Sequence, residues 1–407
     1  MGVQDTANLA LIPAAYKASK LYSVFPTNGD GDFDFIRGSS GTRVNKAGLI
    51  ETVAVNTPRL DYPLLDGVVQ DCPALLLEPS RTNKITYSDN LSSGTSGSTI
   101  TTNTNTSPTG ELNASTINAS TSYIAKSVSI SSGDNVFSCF LKYNADAEVE
   151  IYIYDGSYYQ STFNIQTGAV VSNSNATGSI ENYGNGWYRC SIYAQTSSTT
   201  SEVGIGALNG ATYTFGWQLE AGSYVTSYIK NINTSAGVTR SADVCNGAGT
   251  SDTFNDSEGV LFGEISTISD STFKRISIDS GSYTNSVVFD FDNTNNLYGK
   301  VFVGGSAVST TLASGLDIDN NNKLALKYKS GDYALWVNGF EFDGGTNTNT
   351  PTGLNSLNFE LGGFNHFYGN TKQLMTFNEA LSDTELEDLT SWDSFNEMAK
   401  GQLYTIE

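Results

Sequence analysis

From residue 125 onward the chain repeats one pattern, a short run of alternating apolar residues closed by Gly, Asn, Asp or Ser. Runs of that length with period two bury one face of a β-strand and leave the other polar, and turn residues at such spacing fold them into antiparallel sheets. One group covers 125–130, 136–143, 149–154, 186–193, 203–205 and 213–219. A second covers 260–265, 275–278, 286–291, 298–303, 323–328, 333–337, 357–361 and 371–377. The pattern predicts an all-β protein with two antiparallel β-sandwich (jelly-roll) domains, at 89–245 and 246–407. The clearest hairpin joins 323–328 to 333–337 through Lys329-Ser330-Gly331-Asp332. Helical period appears only near the end, where Ser382 and Glu385 match a capping box ahead of Leu386, Leu389 and Trp392.

The first 88 residues lack such runs and are dense in turns, with Pro58, Pro63, Pro73 and Pro79 inside 22 positions. Proline and the residue before it favour extended backbone, so this region is expected to be an extended anchor that lies along another surface and needs a neighbour to bury it. Residues 92–122, rich in Ser, Thr and Asn, fit either a surface strand or a linker.

With 21 basic and 42 acidic residues the chain carries a formal charge of -21, which opposes nucleic-acid backbones and anionic membranes. No apolar stretch approaches the ~18 residues of a membrane span, and the N-terminus lacks a signal-peptide pattern. If the chain reaches the outside of a cell, it is expected to do so as part of a particle assembled in a host cytoplasm and released by lysis. Cys72, Cys139, Cys190 and Cys245 are too dispersed for a disulfide framework and are read as buried thiols, with Cys139 and Cys190 the pair able to bridge.

Three ordered stretches carry a resemblance. The run Gly38-Ser39-Ser40-Gly41-Thr42-Arg43-Val44-Asn45, then Pro58-Arg59-Leu60-Asp61-Tyr62 and Leu77-Glu78-Pro79-Ser80-Arg81-Thr82-Asn83, resembles the N-terminal module of tailed-phage head-fibre, tail-fibre and structural proteins. Asn185-Gly186-Trp187-Tyr188-Arg189, Gly216-Trp217-Gln218-Leu219-Glu220 and Arg240-Ser241-Ala242-Asp243-Val244 are similar to the carbohydrate-binding-module-like jelly roll that follows it. Leu335-Trp336-Val337-Asn338-Gly339 and 377–383 resemble a laminin-G or concanavalin A-like sandwich. The resemblance implies a virion-surface protein, anchored by residues 1–88 to capsid or tail proteins, commonly a homotrimer, with its sandwiches turned outward. The anchor residues are then Arg43, Val44, Asn45, Leu49, Ile50, Pro58, Arg59, Asp61, Leu76, Leu77 and Arg81. The arginines among them are expected either to pair with carboxylates or to lie solvated.

Catalysis finds little support. His366, the sole histidine, sits between aromatics with no nucleophile elbow elsewhere. The acidic string Glu341-Phe342-Asp343 has Thr346 where a concanavalin-type glucanase would place its second glutamate, so a strand end is the better reading and the chain is expected not to be an enzyme. No cofactor is expected beyond candidate Ca2+ ligands at Asp317, Asp319 and Asn321, in a turn type that also occurs without metal. Sugar recognition would use exposed aromatics, for which Tyr152, Tyr154, Tyr158 and Tyr159 are the candidates for a cell-surface glycan, since neighbours in a strand cannot both point inward. Trp187, Trp217 and Trp336 are read as core.

Overall fold

The computed structural model describes residues 2–91, 93–198, 200–232, 236–392, 394 and 398. Nearly all regular structure is antiparallel β, and one α-helix occurs among the described residues. In the middle region two six-stranded sheets face each other. One runs Thr95–Gly97, Ile124–Ser129, Thr200–Gly206, Glu148–Tyr154, Tyr158–Asn164 and Ala169–Ser174. The other runs Thr99–Thr106, Leu112–Asn118, Thr212–Ala221, Gly133–Tyr143, Trp187–Thr196 and Thr177–Asn182. Alternate residues such as Ile151, Ile153, Phe163, Phe137 and Trp217 fill the space between them. Most of the polar stretch 92–122 is thus strand, at Thr95–Gly97, Thr99–Thr106 and Leu112–Asn118. The edge strand Thr99–Thr106 closes its sheet against water and is polar apart from Ile100, which packs on the core.

The C-terminal sandwich packs an eight-stranded sheet on a five-stranded one. The hairpin forms as read, Asn322–Lys329 pairing with Ala334–Val337, and Phe340–Asp343 continues it as an edge strand. The helix Asp383–Thr390 starts at Ser382, whose hydroxyl accepts from the Glu385 amide while the Glu385 carboxylate accepts from the Ser382 amide at 2.8 Å. Leu386 and Leu389 bury against Trp336 and Phe377.

The front region finds its neighbour within the chain. Leu9–Leu11 and Ala74–Leu77 both add to the same edge of Gly369–Phe377, pairing Leu11 with Leu374 and Leu77 with Gly369. Phe33–Ile36 pairs with Val244–Asn246, and Arg81–Asn83 with Val238–Arg240. Leu9, Leu11, Phe33, Phe35, Leu75 and Leu77 therefore belong to the core that also holds Leu261, Phe289 and Leu326. Residue 88 does not end a separate body, and residue 245 lies inside a strand, because these short apolar segments can only be buried by completing sheets made of distant residues.

Cys139 and Cys190 face each other across neighbouring strands as free buried thiols, and Cys245 is also free and buried. Cys72 is exposed, which corrects its reading as buried: it follows Asp71 in a bend ahead of Pro73, outside any strand. Trp187, Trp217 and Trp336 are buried as expected.

Candidate functional site

The motif residues of the front converge with those of the middle sandwich in a buried polar junction. Arg59 donates through Nη1 to Glu78 Oε2 at 2.5 Å and to Ser227 Oγ at 2.8 Å, and through Nη2 to Asp243. Arg37 donates to the other Asp243 oxygen at 3.1 Å, and Arg240 lies 2.9 Å from Glu78 Oε2. The Glu78 carboxylate also accepts the Ser227 amide at 2.7 Å, and Asp243 accepts the Glu78 amide at 2.8 Å. Gln218 and Glu220 extend the network to Thr226. Burial alone would raise Glu78, but the Arg240 and Arg59 guanidiniums and the Ser227 donors outweigh it and hold this carboxyl well below the usual range. Charges taken so far from water persist only when fully paired, so these side chains lock the front, the middle sandwich and the connection at 238–243 into one geometry.

The anchor candidates divide accordingly. Pro58, Arg59 and Leu77 are sealed inside, and Val44 and Ile50 are buried, Ile50 against Phe140 and Tyr228. Arg43 pairs with Glu51 at 2.7 Å, and Asn45 donates to the same carboxylate at 3.1 Å. Arg81 stacks on Tyr224, 5.0 Å from the ring centre. Leu49, Asp61 and Leu76 are half-buried. The front exposes apolar Ile12, Val24, Phe25, Ile36, Val55 and Val68 among polar residues such as Lys17, Asp30, Asp34 and Lys46.

The tyrosines also divide. On Glu148–Tyr154 the residues 149, 151 and 153 face the core, so Tyr152 and Tyr154 face out. On the next strand Tyr159 turns inward and Tyr158 outward. Tyr152 is nevertheless only 3% exposed, because its ring lies across Gly204 of the adjoining strand, where an added Cβ would meet the ring at 2.5 Å. Its hydroxyl donates to Glu202 at 3.0 Å. Tyr158 stands over it, 52% exposed, with its ring centre 4.6 Å from that of Tyr154 and 5.5 Å from that of Tyr152. Gln160 donates to Glu150 at 2.7 Å on the same face. Of the four candidates Tyr154 and Tyr158 are available to a ligand, Tyr152 supports them and Tyr159 belongs to the core. Tyr123, which the run lengths did not single out, is exposed and close enough to Tyr152 to affect it electrostatically.

Asp317, Asp319 and Asn321 lie in the loop ahead of Asn322–Lys329. Asp317 accepts from the Asp319 amide and Asn320, while Asp319 accepts from the Ser269 amide at 2.6 Å. Among the described residues no three His, Cys, Asp or Glu side chains gather as a metal would require. The turn is of the Asx type, and Asn321 Oδ1 is buried with no hydrogen-bond partner among the described residues. His366 sits 2.9 Å from Glu360 at the surface of the C-terminal sandwich.

Sequence reasoning missed a cleft of about 530 Å³ between the front, the middle sandwich and the loop at 223–228. Asp61, Arg43, Glu181 and Arg189 line it. Asp61 accepts the Val44 amide at 2.6 Å, and desolvation in the cleft wall raises its carboxyl to about 6 despite that bond and the nearby Arg59. Glu181 stands exposed on the cleft wall beside Arg189. No single stretch of sequence signals this site, since its walls come from segments more than a hundred residues apart.

No family model matches the chain, and no curated protein matches it. Among solved structures, the chain is similar to the CBM40 domain of the Ruminococcus gnavus IT-sialidase bound to alpha2,3 sialyllactose, at 18% identity over 34% of this chain and 84% of that one, with a TM-score of 0.29. Trypanosoma rangeli sialidase aligns at 10% identity over 61% of this chain and 49% of that one, with a TM-score of 0.28. Domains LG4-5 of the mouse laminin alpha1 chain align at 10% identity over 83% and 97%, with a TM-score of 0.24.

Proposed function

We propose that this chain is a non-catalytic structural display protein of a tailed-phage particle, and that its middle sandwich binds glycan. The observation carrying the glycan reading is the exposed Tyr154–Tyr158 pair on a rigid sheet, flanked by Glu150, Gln160 and Glu202. Aromatic faces cover the apolar face of a sugar ring while neighbouring carboxylate and amide groups take its hydroxyls. The virion reading rests on the motif run from Gly38 to Asn83, its attachment surface being the exposed apolar residues of the front. The buried arginines serve the chain's own assembly in this reading. Other virion proteins are the partners, the oligomer is a trimer, and the particle surface is the location.

A tail adhesin whose main task is glycan binding is the second reading, favoured by the same tyrosine pair. Glycan-array binding by the full chain, lost in Tyr158→Ala and Tyr154→Ala, is the expected result. An array with no binding, or binding indifferent to both substitutions, overturns the glycan reading. Gold-labelled antibody against the chain should decorate intact particles, and its absence from purified particles removes the virion reading. Release of reducing ends from a bound glycan would contradict the non-catalytic part.

A further inference from the structure

We infer that the cleft between the front region and the middle sandwich is a second ligand site, independent of the tyrosine face, and that it takes a neutral mono- or disaccharide. The cleft is built from fixed parts. Glu181 and Arg189 are direct partners on paired strands, and the next pair, Ile180 and Cys190, turns to the core, so both side chains leave the sheet on the cleft side. Arg189 is 6% exposed. Its guanidinium lies 5.3 Å from the Phe140 ring, and Nη2 donates to Ser138 at 3.2 Å, which fixes the plane of the fork. Its Nε has no partner among the described residues, and neither does Nη1 of Arg43 in the opposite wall. Two buried donors left in this way are costly unless something arriving in the cleft accepts from them.

Acceptors are equally available. Among the described residues the Glu181 carboxylate, exposed on the cleft wall, accepts no hydrogen bond, and the half-buried Asp61 accepts that of the Val44 amide. The charge pattern then selects the ligand. Asp61 and Glu181 repel a phosphate, sulfate or carboxylate. Arg189 and Arg43 repel an ammonium group. A polyhydroxylated ring carries no charge, and each of its hydroxyls can donate to a carboxylate while accepting from a guanidinium, so it satisfies both sets together. The Tyr224 ring, held by Arg81, offers an apolar face in the same cleft. A volume of about 530 Å³ lies within the range of roughly 300–1,000 Å³ usual for small-molecule sites.

The test is calorimetric titration of the full chain at pH 7 with glucose, galactose, lactose and maltose, then with phosphate and spermidine. At least one neutral sugar should bind. Glu181→Ala should weaken it roughly ten-fold or more, the loss of a charge-assisted hydrogen bond. Ser179→Trp, a substitution at an exposed strand position on the cleft wall, should abolish binding by filling the space. If Glu181→Ala fails to fold, Ser179→Trp alone decides. Absence of binding by all four sugars overturns the inference, as does binding that survives Ser179→Trp, which would put the sugar on the tyrosine face. Displacement of a bound sugar by phosphate or spermidine would also overturn it.

Discussion

Arg59 and Asp243 form a fully buried, hydrogen-bonded ion pair across 184 positions of sequence. Replacing Arg59 with Met keeps most of the volume but leaves Asp243 and Glu78 with one guanidinium fewer in a place water does not reach. Breaking one side of such a pair costs about 3–5 kcal/mol. Urea unfolding of Arg59→Met should show a loss of that size, and a loss under about 1 kcal/mol would mean that the junction does not hold the fold together.

Two carboxyls should give opposite pH dependences. Glu78 is depressed in the folded chain, so its contribution is complete above its ordinary 4.5 and drains away as pH falls below that value. Glu78→Gln should therefore be less stable at pH 7 and flatter than the parent as the solution is acidified. Asp61 is raised to about 6 from an ordinary 3.8, so its favourable contribution exists below 3.8 and is lost as pH rises through 6. Asp61→Asn, still able to accept from the Val44 amide, should be more stable than the parent above pH 6, by about 2 kcal/mol once water in the cleft is allowed for. Denaturant midpoints from pH 3 to 8 (on the order of one per pH unit) would show both trends, and coincident curves for parent and Asp61→Asn would contradict the second.

One thiol should react in the native protein. Cys72 is exposed, whereas burial raises the Cys139, Cys190 and Cys245 thiols far above their usual range and removes them from reagents. A chromogenic disulfide reagent should titrate Cys72 rapidly, and the remaining three only after unfolding. Fast labelling of Cys139 would mean that the middle sandwich opens readily.

A chain starting at residue 89 should lose cooperative folding of its C-terminal sandwich. It would lack Leu9, Leu11, Leu75 and Leu77, each worth about 2 kcal/mol of apolar burial, and would expose the edge of Gly369–Phe377 to self-association. Differential scanning calorimetry checks this, and an undiminished transition would make the front strands accessory.

The sandwiches were legible because alternation and turn residues are local signals, as in the hairpin around Gly331 and the cap at Ser382. The front was legible only as a segment needing a neighbour. Nothing in residues 9–11 or 74–77 states that residues 369–377 will receive them, since pairing between distant strands leaves no local pattern. Tyr158 was found because two adjacent tyrosines must face opposite ways, while the burial of Tyr152 depended on Gly204 about fifty positions away. Arg59 was recognised as a residue seeking a carboxylate, and the partner proved to be its own chain's. The cleft around Glu181 and Arg189 was invisible because it exists only once three segments have met.

The edge strand at 369–377 also imposes an order on biosynthesis. Leu77 leaves the ribosome nearly three hundred residues before Gly369, its sheet partner. At about 5–20 residues per second the leading segment waits on the order of fifteen seconds to a minute with its leucines uncovered. A ribosome that stops short of residue 377 therefore releases a product that cannot hide its own beginning. Such a product keeps Leu9, Leu11, Leu75 and Leu77 uncovered, and exposed apolar strands of this kind are prone to aggregate.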